Sequence, residues 1–387
     1  MQRYLSIDIL RGVAILLMIQ VHFVDNLSSR EIASGWLYDF SMLFGRVPAP
    51  LFAFVSGVSY GLWVRSQESR QRRDRDITRI TLRRGLFLFV IGIVFNFCIW
   101  LPEETFNWDI LTLLGTSLLF LAVARKLPLP VLTLICALVI LISPPLRVVG
   151  DVSSYWADHA YTYDFTFRDV LFGFVANGYF PVFPWIIFPV MGFVVGDLLF
   201  RKRRSGSARR GLTALGIGLV SLSTILRTVG AHMPVQISRH YANGFNEFPA
   251  STQHVLAMLG LAILGLVFLH KWVDRTGTAP RGHLATIIER FSVYSLSVYV
   301  LHHAVMLWPL WIYGASTGST DSTVFWRRAT SAPVAFGLAL AFIVVCHFAL
   351  VVLARNKKYS LEYVMRRICD GNSKEKGEKP TETCAAR

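Results

Sequence analysis

The first apolar stretch of the chain, residues 5–25, contains side chains suited to acid–base and anion-binding chemistry. Asp8, Arg11 and His22 all lie within it. A charged group inside a membrane helix is costly unless it faces a partner or a water-filled cavity, so such groups mark functional sites. Histidine is the side chain best suited to accept a proton near neutral pH. We therefore predict a catalytic site on the first helix, formed by Asp8, Arg11 and His22.

The spacing of Arg11 and His22 predicts that they share one face of this helix. They are eleven residues apart, about three helical turns, so they project in nearly the same direction, roughly 16 Å apart along the axis. Asp8 precedes Arg11 by three residues and can pair with it, which lowers the cost of burying the arginine. Arg11 could instead reach the membrane interface, and His22 could be an ordinary interfacial residue. Arg11 and His22 share a face, and Asp8 and Gln20 lie on the same helix. This arrangement favours a functional site over two unrelated interfacial residues.

The composition of the whole chain is that of a membrane protein. Of 387 residues, 53% are hydrophobic and 16% are charged, and the mean hydropathy is +0.48. Soluble domains carry about 25% charged residues. The composition also excludes a disordered chain and a small disulfide scaffold. We predict an all-α, polytopic membrane helical bundle of about ten transmembrane helices, near residues 5–25, 47–64, 85–101, 108–124, 129–146, 180–200, 211–228, 251–270, 291–311 and 334–354.

The basic residues predict the orientation of the bundle. With both termini in the cytoplasm, the internal segments hold 30 Lys and Arg residues and the external segments eight, which follows the positive-inside rule. The net charge of +15 therefore indicates topology and not nucleic-acid binding, for which no motif is present. Residues 1–358 form the expected membrane domain. Residues 359–387 form a cytoplasmic tail that is helical at first and then mostly disordered.

The first helix resembles that of a known group of enzymes. The pattern Ser-x-Asp-x-x-Arg-Gly at Ser6–Gly12, followed by His22, is similar to the transmembrane acyltransferase superfamily. Other stretches resemble bacterial-type members of its heparan-alpha-glucosaminide N-acetyltransferase catalytic-domain branch: Ala49–Gly57, Phe183–Phe188 and Tyr294–His303. The lysosomal enzyme of that branch has asparagine at the place of His22, so the resemblance does not extend to its aminosugar specificity.

The resemblance implies acyl transfer from cytoplasmic acyl-CoA to an acceptor at the outer face. In the superfamily the histidine is the catalytic base and the arginine helps to hold the coenzyme, roles that would fall to His22 and Arg11. We expect acetyl-CoA as co-substrate and a hydroxyl or amine of a glycan or small molecule as acceptor. We also expect a place in the lipid bilayer of a bacterial inner membrane. The oligomeric state stays open, with a homodimer as one arrangement.

Further polar residues extend the predicted site. Arg83 and Arg84 lie near the membrane at the end of a basic run. They are candidates for binding the phosphates of the coenzyme, or they only determine the membrane topology. His302 and His303 in the ninth span are candidates for a coenzyme or acceptor contact, or form an interhelical hydrogen bond. No metal site is expected, because no pair of His or Cys residues shows ligand spacing with a third ligand in view.

Two acids near the outer end of the bundle are candidates for orienting His22. Asp25 lies three residues beyond it, and Glu247 precedes the eighth span. Asp25 is equally well explained as an exposed acid at a helix end. The segment of Glu247 is explained more simply by a helix cap at Ser251 or Thr252.

A second class of function stays open. Buried Arg, Asp and His side chains also couple substrates or protons in secondary transporters and flippases. Such proteins often carry paired half-repeats, and the C-terminal half contains no second helix with an Arg/His pair. A third alternative is a related membrane protein that has lost catalysis and acts as an assembly partner. The sequence favours an acetyl-CoA-dependent O- or N-acyltransferase.

Overall fold

The computed structural model of the protein is built from helices. It describes residues 3–28, 35–100, 102–156, 161–201, 205–235, 238, 241–242, 244–276, 282–318 and 329–370. No strand occurs within these ranges, which confirms the predicted all-α class. The stretch of the tail expected to be disordered lies outside the described residues, which end at Asp370.

The α-helices of the described residues are numbered here in chain order. They are α1 (Leu5–Leu27), α2 (Trp36–Gly45), α3 (Pro48–Ser69), α4 (Asp74–Phe95), α5 (Ile110–Ala124), α6 (Leu129–Val149), α7 (Val152–Tyr155), α8 (Phe167–Phe172), α9 (Val182–Trp185), α10 (Ile187–Leu199), α11 (Ser205–Val229), α12 (Thr252–Leu269), α13 (His283–Val293), α14 (Ser295–Ser316), α15 (Ala332–Arg355) and α16 (Leu361–Cys369). Turns of π-helix extend α4 over Asn96–Trp100 and α12 over His270–Asp274.

Long apolar helices make the chain an integral membrane protein. Nine helical segments of the described residues are long and apolar enough to cross a membrane. The remaining predicted span, near 108–124, is helix α5, which is apolar but has only 15 residues. The predicted polytopic helical bundle is therefore confirmed. Helix α16 is the helix expected at the start of the tail.

The sixth predicted span, 180–200, begins with a break in the helix. Phe183 has non-helical backbone angles (φ −99°, ψ 118°), and regular helix resumes at Ile187. Pro184 follows Phe183, and proline lacks the backbone N–H that a continuous helix needs at that position. The proline therefore accounts for the break.

Helix α1 lies at the centre of the bundle. It contacts α2, α3, α13, α14 and α15, and more than half of its residues are buried. Helix α15, by contrast, keeps large apolar side chains such as Val345 and Phe348 exposed. Because α1 is enclosed by protein on most sides, its polar side chains find protein partners where a peripheral helix would meet lipid.

Helices α3 and α10 pack with their backbones in direct contact. A Cβ atom added to Gly57 would lie 1.9 Å from the carbonyl oxygen of Pro189, and one added to Gly192 would lie 2.0 Å from that of Phe54. Small residues at membrane helix interfaces permit this close approach. The contact holds α3, which lies along α1, in a fixed position beside the central helix.

Candidate active site

Three histidine rings meet between α1 and α14. The Nδ1 atom of His22 lies 2.9 Å from the Nε2 atom of His302, and the two rings stack at 12° with centroids 5.2 Å apart. The ring of His303 lies against both, with its centroid 4.7 Å from that of His22 and 3.9 Å from that of His302. The structure thus brings together the histidine of the first span and the histidine pair of the ninth.

The backbone of α14 determines which nitrogen carries the hydrogen in each neutral ring. The Nδ1 atom of His302 lies 3.0 Å from the carbonyl oxygen of Val298, and that of His303 lies 3.1 Å from the carbonyl oxygen of Tyr299. Carbonyl oxygens only accept hydrogen bonds, so both Nδ1 atoms are donors and both Nε2 atoms are acceptors. His302 Nε2 therefore accepts from His22 Nδ1. The Nε2 atom of His22 keeps a free lone pair, which is the base that this site offers.

Aromatic side chains enclose the inner part of the cluster. His302 and His303 have relative exposures of 0% and 1%, whereas His22 is partly exposed. Ring centroids of Phe95, Trp100 and Tyr299 lie 5.0, 5.5 and 5.1 Å from that of His303. The packing therefore leaves His22 as the most exposed of the three histidines.

Tyr299 is itself held in place. Its hydroxyl donates a hydrogen bond to Asp109 Oδ2, and Asp109 Oδ1 accepts one from the backbone N–H of Leu111 at 2.8 Å. Asp109 thus caps helix α5 and fixes the tyrosine ring that packs against the histidine pair. The contact between Asp109 and Tyr299 was not predicted from the sequence, because it joins residues 190 positions apart.

Arg11 lies on the side of α1 that faces α3. Its guanidinium donates a hydrogen bond to Ser59 Oγ, and the residue is partly exposed. The expected pair with Asp8 does not form. The carboxylate of Asp8 instead accepts from Arg3 Nε at 2.6 Å and from Ser292 Oγ at 2.9 Å. Arg3, from the preceding residues, and Ser292, from α13, already occupy the oxygens of Asp8, so Arg11 takes its partner from α3.

The two basic candidates on α4 differ in their surroundings. Arg83 is exposed. Arg84 binds the carboxylate of Asp370 with two hydrogen bonds, 3.0 Å from Nε and 2.7 Å from Nη2, and its guanidinium lies 4.6 Å from the centroid of a Trp63 ring. Bidentate carboxylate binding and stacking on an aromatic ring hold Arg84 in a single orientation.

Helix α16 also fixes the start of α14. Glu362 Oε1 accepts from the backbone N–H groups of Leu296 and Ser297 at 2.8 and 3.0 Å, and Glu362 Oε2 accepts from Ser297 Oγ at 2.6 Å. These backbone groups have no partner inside their own helix. A negative side chain at a helix N-terminus is also favoured by the helix dipole. The tail thereby anchors the helix that carries His302 and His303.

The segment ahead of α12 contains the other predicted acid. Ser251 Oγ accepts from the backbone N–H of His254 at 3.1 Å, so Ser251 caps α12. The pKa of Glu247 is raised to about 8 by burial, against the opposing effect of Arg46 and with a smaller contribution from Asp25. The partner of His22 Nδ1 is His302, and an orienting role for Asp25 or Glu247 stays a prediction.

The three rings also form a possible ligand set for a metal ion. One nitrogen of each of His22, His302 and His303 lies within 4.8 Å of the other two. The sequence predicted no metal site, because His22 and the histidine pair are separated by 280 residues and show no ligand spacing.

The chain has a clear relationship to one protein family. The family model described as heparan-alpha-glucosaminide N-acetyltransferase, catalytic, matches residues 3–226, which is more than half of the chain. The match includes Arg11, His22 and Ser59 and ends before His302, His303 and the tail. No curated protein matches the chain.

Proposed function

The chain belongs to the heparan-alpha-glucosaminide N-acetyltransferase catalytic-domain family, and we propose that it transfers an acetyl group from acetyl-CoA to a hydroxyl or amine of a sugar-type acceptor. The family and the apolar helices make it a membrane acetyltransferase. The donor, the acceptor and the roles of individual residues are the proposal. It is carried by one observation, the 2.9 Å contact between His22 Nδ1 and His302 Nε2, from which we infer that the hydrogen of His22 lies on Nδ1 and that Nε2 keeps its lone pair.

His22 acts as the general base in this mechanism. Its Nε2 atom takes the proton of the acceptor hydroxyl or amine as the acceptor oxygen or nitrogen attacks the thioester carbonyl. The carbon–sulfur bond then breaks, and the proton on Nε2 passes to the departing CoA thiolate. A positioned base typically contributes roughly 10²–10⁴-fold to a rate.

His302 orients the base and supports its charge. In the reaction His22 becomes a cation that donates from both nitrogens, and His302 Nε2 already accepts from one of them. In many enzymes a third group orients the base in this way. Here a neutral ring, fixed by the carbonyl oxygen of Val298, takes that position.

Arg11 holds the donor on the other side of the bundle. It lies about three turns from His22, on the order of 16 Å along the helix axis. We propose that this end faces the cytoplasm and that Arg11 binds the anionic coenzyme there, with Arg83 and Arg84 as further contacts for its phosphates. Arg11 uses one N–H on Ser59, which leaves further guanidinium donors for the coenzyme. The long arm of the coenzyme would then reach His22.

Transfer of radiolabelled acetyl groups tests the proposal. Purified protein is incubated with acetyl-CoA and either glucosamine, which offers an amine and hydroxyls, or N-acetylglucosamine, which offers hydroxyls only. We expect labelled product with at least one acceptor and near-complete loss of it in His22→Ala. His283→Ala, a change at an exposed histidine remote from the cluster, serves as the matched control. Equal rates in His22→Ala and the wild type would refute the role of His22.

Orientation is tested in sealed proteoliposomes. Acetyl-CoA is enclosed inside and the acceptor is added outside. Under the proposed topology, product appears outside only for vesicles in which the N-terminus faces the lumen. Product that appears only when donor and acceptor share one compartment would contradict transfer across the membrane.

A further inference from the structure

The histidine cluster has the geometry of a transition-metal site. Zinc–histidine bonds are about 2.0–2.1 Å long, so two nitrogens on one tetrahedral ion lie about 3.3 Å apart. The observed distance between His22 Nδ1 and His302 Nε2 is 2.9 Å, and all three candidate ligand atoms lie within 4.8 Å of one another. Small ring rotations are therefore enough to bring all three nitrogens to bonding distance.

The hydrogen bonds that would orient the ligands of such a site are already present. Histidines that bind metals almost always donate their other ring N–H to a carbonyl or carboxylate, which fixes the ring and the ligating nitrogen. His302 and His303 do so through the carbonyl oxygens of Val298 and Tyr299. Their Nε2 atoms consequently point to the shared centre as ligands, without a change of tautomer.

The kinds of ligand select the kind of ion. The cluster offers three imidazoles and includes no carboxylate or thiolate. Imidazole suits zinc, copper and nickel, whereas magnesium and calcium require oxygen ligands. The partly exposed side of His22 leaves room for a fourth ligand, which is water in catalytic-type zinc sites.

We propose that His22, His302 and His303 form a binding site for Zn²⁺ or a similar divalent transition-metal ion, and that this ion inhibits acyl transfer. The metal bonds to His22 Nδ1, and the proton of that nitrogen moves to Nε2. The three rings release no net proton, because they start and end neutral; only a water bound as the fourth ligand can release one, near pH 7 and above. His22 Nε2 then carries a hydrogen and has lost the lone pair needed to accept a proton from the acceptor. The inhibition rests on the proposed function, whereas metal binding does not.

Cobalt absorption tests the binding without any substrate. The full-length protein, purified without a histidine tag and treated with a chelator, is titrated with Co²⁺, and Zn²⁺ is then added as competitor. We expect visible absorption bands of four-coordinate Co²⁺, saturation at one ion per chain, and displacement by Zn²⁺. Calorimetry at about pH 6, where metal-bound water keeps its protons, should give the same heat in two buffers of different protonation enthalpy, because the rings release no proton.

Single variants locate the site. His302→Ala and His303→Ala should each weaken Zn²⁺ binding by more than the roughly 10–100-fold that follows from losing a hydrogen-bond partner of a metal ligand. His302→Gln and His303→Gln repeat the test with larger side chains in case the alanine variants unfold. His283→Ala should bind as the wild type does. Absence of a saturable Co²⁺ spectrum, or binding that survives the changes at His302 and His303, overturns the proposal.

The two proposals can fail separately. Acyl transfer is measured in the presence of EDTA, and Co²⁺ binding is measured without acetyl-CoA. Transfer without Co²⁺ binding would refute the metal site alone. Co²⁺ binding without transfer would refute the acyltransferase mechanism and, with it, the inhibitory role. Transfer that continues at saturating Zn²⁺ would refute the inhibition.

Discussion

His22 and His302 share a hydrogen bond of 2.9 Å across 280 residues of sequence. The bond ties the most exposed ring of the cluster to a ring that has no exposed surface. It places the hydrogen of His22 on Nδ1, because the other nitrogen of His302 already donates to a backbone carbonyl. The tautomer of the histidine on the first helix therefore depends on the ninth span.

The variant His302→Ala tests this dependence. Without the acceptor on His302, the hydrogen of His22 is no longer confined to Nδ1. The His22 cation formed in the reaction also loses the hydrogen bond that stabilises it. We expect kcat for acetyl transfer to fall by roughly tenfold or more, within the 10²–10⁴ that a positioned base supplies. His22→Ala should lose more than His302→Ala. A His302→Ala enzyme with unchanged kcat would show that the tautomer is fixed in another way.

Arg11→Ala should act mainly on the donor. Hydrogen bonds to charged groups contribute about 1.5–3 kcal/mol, so KM for acetyl-CoA should rise roughly 10- to 100-fold with a smaller change in kcat. Arg11→Lys keeps the charge but lacks the planar fork and should recover only part of the affinity. Arg227→Ala, at an exposed arginine, is the control. An effect of Arg11→Ala on kcat alone would place this arginine at the reacting group.

Asp370→Asn should make the donor bind more tightly. In the structure Asp370 occupies the two guanidinium nitrogens that Arg84 would offer to a coenzyme phosphate. Replacing the carboxylate by an amide weakens this competition, so KM for acetyl-CoA should fall several-fold, and the fall should vanish in an Arg84→Ala background. If KM is unchanged or rises, the bond between Arg84 and Asp370 is structural and Arg84 is not a phosphate contact.

Gly57→Ala should destabilise the bundle. The new Cβ atom would lie 1.9 Å from the carbonyl oxygen of Pro189, so α3 and α10 would have to separate. Overpacking of this kind costs about 1–3 kcal/mol, and the melting temperature in detergent should fall. Gly218→Ala is the matched control, because a Cβ atom at that glycine would meet nothing within 4 Å. Equal melting temperatures of the two variants would contradict the close contact.

Glu247→Gln should stabilise the protein at every pH above 4.5, by an amount that grows until the pH reaches about 8. Burial raises the pKa of Glu247 from 4.5 to about 8, so the folded state binds this proton more tightly than the unfolded state does. Stability from this group is then complete below pH 4.5 and is lost as the pH rises toward 8. The melting temperature of Glu247→Gln should equal that of the wild type at pH 4.5 and exceed it at pH 8.5.

A control variant separates this effect from a general loss of charge. Glu103→Gln replaces an exposed acid in the segment between α4 and α5 and should show no such dependence on pH. A Glu247→Gln variant that is less stable than the wild type at pH 8.5 would mean that the ionised carboxylate has a favourable partner, with Arg46 as the candidate.

The membrane helices could be predicted from the sequence because hydropathy is a local property. The predicted span 5–25 corresponds to the helix Leu5–Leu27 in the structure, and the predicted span 334–354 corresponds to the helix Ala332–Arg355. The family was also recognisable, since its motif lies within one helix. The match to residues 3–226 confirms that resemblance.

The partners of the site residues could not be predicted in the same way. The pair of Asp8 with Arg11 was wrong because its prediction considered one helix, whereas Ser292 and Ser59 come from neighbouring helices. The role of Glu362 was not predicted for the same reason, since its hydrogen bonds with Leu296 and Ser297 link the tail to a membrane span. Such contacts depend on how helices are arranged around α1, which hydropathy does not encode.

The capping of α14 by Glu362 has a consequence for the order of biosynthesis. Helix α16 follows all the long apolar helices of the described residues along the chain, so its residues are synthesised after theirs. The start of α14 therefore has to wait for this cap while its own residues already exist. A chain shortened to end before Leu361 should still enter the membrane, with the backbone N–H groups of Leu296 and Ser297 left without Glu362.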